Sequence, residues 1–289
     1  AYAASKAILA LMYARTWHQY PEYRSYAGAH VVLFSVLAVF WTAIAFWEPL
    51  GFAWWAVATA IGLLAPFIVP RILKRTGRPA LAEPPVKAHY VLDRFGGLTI
   101  IVLGEFFLKA ALGAAERENY YLTTLFCLAL LGTSVGLWWL YFDHLDHITL
   151  TGGSSRSRCW VGLHYPFLAA VAAYGVAGTK VLALTPGQAL TGEQRLLLCG
   201  ALAVALLAGA GLEWAAPERE EPMARKPQVG VRVAAAAILV VLALWGEGLS
   251  APLLVLLIGL TFMALVAVDV YARLKGPNVG RTQARTSEQ

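Results

Sequence analysis

Six ionisable side chains stand inside or beside stretches apolar enough to cross a bilayer. His89, Asp93, Arg94 and Glu105 share one run, Asp143 closes the next, and His164 opens the one after. A charge at the centre of a span costs about 3 kcal/mol or more, so such groups face a protein interior or a water-filled cavity. There they carry ions or protons, or they fix helix register. On a helix Arg94 and Glu105 lie within about 20° of each other and about 16 Å apart along the axis. His89 and Asp93 sit one turn apart on a neighbouring face. Glu105 also has Lys109 one turn on, so a surface Glu-Lys pair competes with a cavity-facing, proton-carrying carboxyl. Gly97 and Gly104, seven residues apart, offer a smooth stripe for close helix packing.

Other chemistry is poorly represented. Asp143-His144-Leu145-Asp146-His147 has residue types that bind metals, yet no partner set accompanies it, and it reads as a solvated loop. Cys127, Cys159 and Cys199 are scattered, with no CxxC or Cys/His ligand spacing. No nucleophile elbow, phosphate loop or HExxH occurs. No catalytic residue, metal site or cofactor is expected.

These residues must be positioned by membrane helices. The 289 residues are 59% hydrophobic and 14% charged, with mean hydropathy +0.62. Soluble domains carry roughly 25% charged residues. Nine apolar segments follow in order: 1–14, 30–47, 52–70, 88–113, 120–142, 161–184, 193–214, 229–246 and 251–273. Most reach the roughly 18–20 residues that cross ~30 Å of hydrocarbon. Alternating strands are lacking, so a β-barrel is excluded. The expected fold is all-α, a polytopic transmembrane bundle with about nine spanning helices. It forms one domain over 1–275, followed by a disordered cytoplasmic tail over 276–289. Because residues 2–14 already read as helix, the chain is expected to begin inside a longer protein, with upstream helices missing.

The formal charge of +6 would suggest nucleic acid in a soluble protein, but loop topology explains it better. With nine crossings, loops on one side collect most of the Lys and Arg, including Arg71, Lys74, Arg75, Arg225, Lys226 and Arg232. The opposite loops hold Arg117 and Arg195. The positive-inside rule makes the basic side cytoplasmic and puts the C-terminus there. Partners are then membrane lipids and an unknown small solute or ion, not nucleic acid; self-association is left open. In this topology Asp93, Arg94, Asp143 and His164 share the inner third of the membrane, where Arg94 could bridge a carboxylate of the 120–142 segment. Pro166 is read in the first turns of its helix, and Glu213, Asp269, Glu247 and Lys180 as interfacial.

Three stretches carry a resemblance. Asp93-Arg94-Phe95-Gly96 with Leu103-Gly104-Glu105, the run Trp138-Trp139-Leu140-Tyr141-Phe142-Asp143, and His164-Tyr165-Pro166 resemble the bacterial low temperature requirement protein A family. The family's usual form has Glu where Asp93 stands, and smaller residues where Phe106 and Phe107 stand. Its upstream helices, with a Phe-Phe-Asp-Leu-Val-Phe motif, have no counterpart here. The resemblance implies a multi-pass protein of the bacterial inner membrane and supplies no reaction, substrate or cofactor. The charged seam suggests a transporter or channel for a small solute or ion, proton-linked. A non-catalytic scaffold, or a lipid-handling protein or enzyme, is the alternative.

Overall fold

The computed structural model describes residues 2–46, 52–75, 88–115, 120–145, 155–184, 188–216 and 225–275. Nine α-helices occupy them: α1 (Tyr2–Gln19), α2 (Arg24–Phe46), α3 (Phe52–Arg75), α4 (Ala88–Ala115), α5 (Tyr120–Leu145), α6 (Ser155–Leu182), α7 (Gly192–Ala215), α8 (Arg225–Trp245) and α9 (Ala251–Lys275). Two short 3-10 turns, Pro21–Tyr23 and Gly246–Gly248, complete them, with no strand among the described residues. The nine apolar segments of the sequence each correspond to one helix. The tail 276–289 lies outside the described residues.

Nine helices are not nine crossings. Six are long and apolar enough to span a membrane, namely α2 and α5 to α9, and α3 adds a seventh if its two halves count as one bent span. Among the described residues the expected count of about nine is not supported, and for α1 the physical reason is polarity. α1 carries Lys6 and Arg15 beside Ser5, Thr16, His18 and Gln19.

The spanning helices wear aliphatic side chains outward. Val32, Val36 and Val39 on α2, Ile238, Val241 and Leu244 on α8, and Leu256, Leu260 and Met263 on α9 are all exposed. A surface this apolar requires a lipid or protein covering. Hydroxyls within the helices turn back on their own backbone. Thr42, Thr99, Thr133, Ser134 and Thr261 each donate to the carbonyl four residues earlier, at 2.8–3.0 Å. That satisfies them without water.

The chain divides into two compact units, residues 1–87 with 151–158, and residues 88–150 with 159–289. In the first, α1 packs along α2, and α2 on α3, around Ala10, Phe34, Leu37, Trp41, Ile44 and Ala58. Trp41, mid-segment in the sequence and so unsuited to an interface, is buried and stacked on Tyr2 at 5.1 Å.

The second unit holds the larger core. α7 packs against α8, α5 against α9, α4 against α5, and α8 against α9. α6 is reached through large side chains. Phe106 of α4 is buried against Gly175 and Gly178 of α6, where a Cβ on Gly178 would collide with its ring. Likewise Phe262 of α9 fills the space beside Gly136 of α5, and Leu163 of α6 that beside Gly211 of α7. The bulk at Phe106 is accommodated by missing bulk on α6. α7 starts at a capping box, in which Thr191 Oγ1 accepts from Gln194 N at 3.3 Å and Gln194 Oε1 accepts from Thr191 N at 3.1 Å. α6 begins at Ser155, so Pro166 lies well inside the helix and not in its first turns. It cannot donate to the Gly162 carbonyl.

Candidate functional site

The polar chemistry of the second unit gathers where α5, α7 and α9 end and α6 and α8 begin. α5 is the hub. Trp139, Leu140 and Tyr141 are consecutive, so they point about 100° apart around the helix, and each meets a different neighbour.

Leu140 meets α8 through its backbone. The Arg232 guanidinium donates to the Leu140 carbonyl at 3.1 Å and to the Gly209 carbonyl of α7 at 3.4 Å. It also pairs with the Glu213 carboxylate of α7 at 3.3 Å. Both side chains are almost wholly buried. A planar five-donor fork suits this setting, since it satisfies two carbonyls and a carboxylate at once. Both carbonyls lie toward the C-terminal ends of their helices, where the backbone dipole favours a cation.

Trp139 meets α9. Its indole N–H donates to Asp269 Oδ2 at 3.3 Å, and Gln228 of α8 donates to Asp269 Oδ1 at 2.9 Å. Asp269 is 4% exposed, and both donors are neutral. Two small cavities adjoin these groups. One, of about 20 Å³, is lined by Leu137, Leu140, Tyr141, Phe167, Gly209 and Arg232 among others. The second, of about 10 Å³, has Gln228, Arg232 and Asp269 on its wall. Such volumes approximate the space one water needs.

Tyr141 meets α6. Its hydroxyl lies 2.9 Å from His164 Nε2, and His164 Nδ1 lies 2.9 Å from the Trp160 carbonyl. A carbonyl only accepts, so Nδ1 carries hydrogen and Nε2 of the neutral ring accepts from Tyr141. Phe95 stacks on the imidazole at 4.1 Å, and Trp160 meets it edge-on at 4.1 Å. His164 is thereby boxed by aromatic rings and wholly buried.

The six residues singled out from the sequence divide between surface and interior. His164 is in the box just described, and Asp143 is half-buried two residues beyond Tyr141 on α5. Asp93, Arg94 and Glu105 lie on the exposed side of α4. Arg94 sits over the Tyr90 ring at 4.8 Å, a cation–π contact on its own helix. The side chain of His89 lies outside the described residues. A Cβ built on Gly97 or Gly104 meets nothing within 4 Å, whereas Gly136, Gly175, Gly178 and Gly211 make the close approaches. No three His, Cys, Asp or Glu side chains among the described residues could share a metal ion.

Two expectations are corrected. Glu213 and Asp269 are buried between helices, at 1% and 4% exposure, and not on the protein surface. Arg232 and Arg195 belong to helix interiors and not to loops. Arg195 Nε donates to the Ala243 carbonyl at 2.9 Å, and its terminal nitrogen lies 3.6 Å from exposed Glu247. Arg232, Glu213, Asp269, Gln228, Trp139 and Tyr141 were the missed residues. The available signal was a single acidic residue, Asp269, in an otherwise uncharged run from Ala251 to Ala272.

Fold and site together define a helical protein of the membrane with ionisable groups buried inside one of its units. The model of the bacterial low temperature requirement A protein family (LtrA) matches residues 1–268, and the chain belongs to that family. No curated protein and no solved structure matches it.

Proposed function

We propose that this protein lies in the bacterial inner membrane, with its C-terminus in the cytoplasm, and moves a small ion in a proton-linked way. One observation carries the reading: Arg232, with Glu213 paired to it, and Asp269 are buried within apolar, spanning helices, and Arg232 and Asp269 line water-sized cavities. Groups so costly to bury mark ion and proton routes. The cavities hold about one water, which favours an ion over a larger solute. α8 also opens at this polar end, on Arg225 and Lys226. The positive-inside rule therefore supports placing that end toward the cytoplasm.

The test is flux into liposomes bearing the full chain, followed with pH- and cation-sensitive dyes. Asp269→Asn is expected to abolish flux. Glu105→Gln, on the exposed side of α4, is expected to retain it. A folded protein passing none of a panel of ions would sink the transport reading. The Arg232–Glu213 pair would then hold helices in register, the scaffold alternative.

A further inference from the structure

At the end of the second unit where α5, α7 and α9 finish, the buried charges do not balance; buried Arg195 lies at the opposite end, beside Ala243 and Glu247. Arg232 contributes one positive charge and Glu213, paired with it at 3.3 Å, one negative. Arg232 also donates to the Leu140 and Gly209 carbonyls. Asp269 is left with two neutral donors, Trp139 and Gln228, and no cation among the described residues pairs with it. Among the described residues the packed elements bring no compensation. α5 presents Trp139 and, one turn beyond, half-buried Asp143; α8 presents Gln228 and Arg232; α7 contributes Glu213 through Arg232. A carboxylate that keeps its full charge in such surroundings is costly, and the natural remedy is one compensating positive charge. The cavity of about 10 Å³ that Asp269 shares with Gln228 and Arg232 gives that charge a place. Gln228 supports this role, because its amide nitrogen is spent on Asp269 while its amide oxygen is a further acceptor.

We propose that Asp269 is the seat of a single positive charge, a proton or a monovalent metal ion, held between α5, α8 and α9. This deepens the ion-movement reading and rests on it. The Arg232–Glu213 pair is the fixed neighbour, and Asp269 is the group whose charge state changes. Seating a proton converts Asp269 to a carboxylic acid, which leaves one of its two oxygens to accept from Trp139 and Gln228. Seating a metal ion keeps both acceptances and draws the Gln228 amide oxygen toward the ion.

The experiment reads binding without flux. The full chain in lipid nanodiscs is melted while sodium or potassium chloride replaces N-methylglucamine chloride at constant ionic strength. Infrared difference spectra between acidic and alkaline buffer are recorded on the same preparation. A seated metal ion raises the wild-type Tm in one alkali series and leaves Asp269→Asn flat. A seated proton makes Tm indifferent to alkali ions and gives a carboxylic-acid carbonyl band that Asp269→Asn removes. If Asp269→Asn does not fold, Trp139→Phe serves. It removes a donor that the empty carboxylate uses more fully than the protonated acid, so a seated proton should be held about tenfold more tightly and the midpoint of its band should rise by about one pH unit, whereas a seated metal ion, which keeps that donor, should be held as in the wild type. An alkali-insensitive Tm with no such band, or with a band whose midpoint Trp139→Phe leaves in place, overturns the inference. Binding at Asp269 without liposome flux sinks the transport reading alone. Flux with no charge seated at Asp269 sinks this inference alone.

Discussion

Charge appears twice in the second unit, and the two sets are treated in opposite ways. On α4, Asp93, Arg94 and Glu105 lie on the exposed side. On α7, α8 and α9, Glu213, Arg232 and Asp269 are buried. The difference lies in each helix's apolar row. α4 buries Thr99, Leu103 and Phe106 with Phe95 partly covered, a spacing of four, four and three that marks one helical face. Arg94 and Glu105 are each one residue off that row, so they turn about 100° away from it. Arg232 lies in the row of α8, four and seven residues before buried Ala236 and Leu239, and Asp269 in the row of α9, four and seven after Leu265 and Phe262. Conspicuous charge in a motif is therefore a weaker guide than charge in phase with the buried row.

The largest test of that contrast is the buried pair. Arg232→Leu leaves Glu213 buried and unpaired and is expected to cost about 3–5 kcal/mol. Unfolding in detergent measures it. Arg232→Leu combined with Glu213→Leu should recover most of the loss, because no uncompensated charge remains. Equal losses in the single and double variants would show that packing and not charge dominates.

Glycines sharpen the contrast next, with opposite signs. Gly178→Ala on α6 drives a methyl into the buried Phe106 ring and should cost about 1–3 kcal/mol. Gly97→Ala and Gly104→Ala on α4 meet nothing within 4 Å. They should leave stability unchanged or raise it by up to about 1 kcal/mol, since alanine is the better helix former. Combining Gly178→Ala with Phe106→Leu should recover part of the first loss.

These results bear on what the sequence makes legible. All nine helices follow from apolar runs between Pro, Gly and charged breaks, because period and length are local properties. Crossing number did not follow in full, since α1 is helical yet too polar to count among the spans. His164 was legible as a polar residue in an apolar run. Its partner Tyr141 was not, because pairing across α5 and α6 depends on the rotation of both helices. Arg232 was hidden by its place near the start of α8, six residues after Lys226, where it reads as one more loop cation. Trp139 was hidden by Trp138 beside it. The pair reads as an interface belt, yet Trp138 is exposed while Trp139 bonds to buried Asp269.

The box around His164 ranks below the glycines. Tyr141→Phe keeps the ring against Phe167, stacked at 5.0 Å, but removes the hydroxyl facing His164 Nε2. Stranding a buried ring nitrogen should cost about 1–3 kcal/mol. Tyr141→Phe with His164→Leu should cost less than Tyr141→Phe alone if the hydrogen bond is the cause. The thermal stabilities of the two variants decide it.

The smallest effects belong on α4. Arg94 over Tyr90 is an exposed cation–π contact, worth about 0.5–1 kcal/mol, and Arg94→Ala should cost no more than that. Had Arg94 bridged a buried carboxylate of α5, the same substitution would strand a charge and cost several times as much. Thermal unfolding in detergent therefore discriminates sharply, although the expected number is small. Read beside Arg232→Leu, it turns the contrast into a ratio, with the interior arginine several-fold costlier to lose than the motif arginine. A ratio near one would mean that α4 gains a covering in the membrane that places its charges inside. The charges on α4 would then join the buried set, and the phase of the apolar row would cease to separate them.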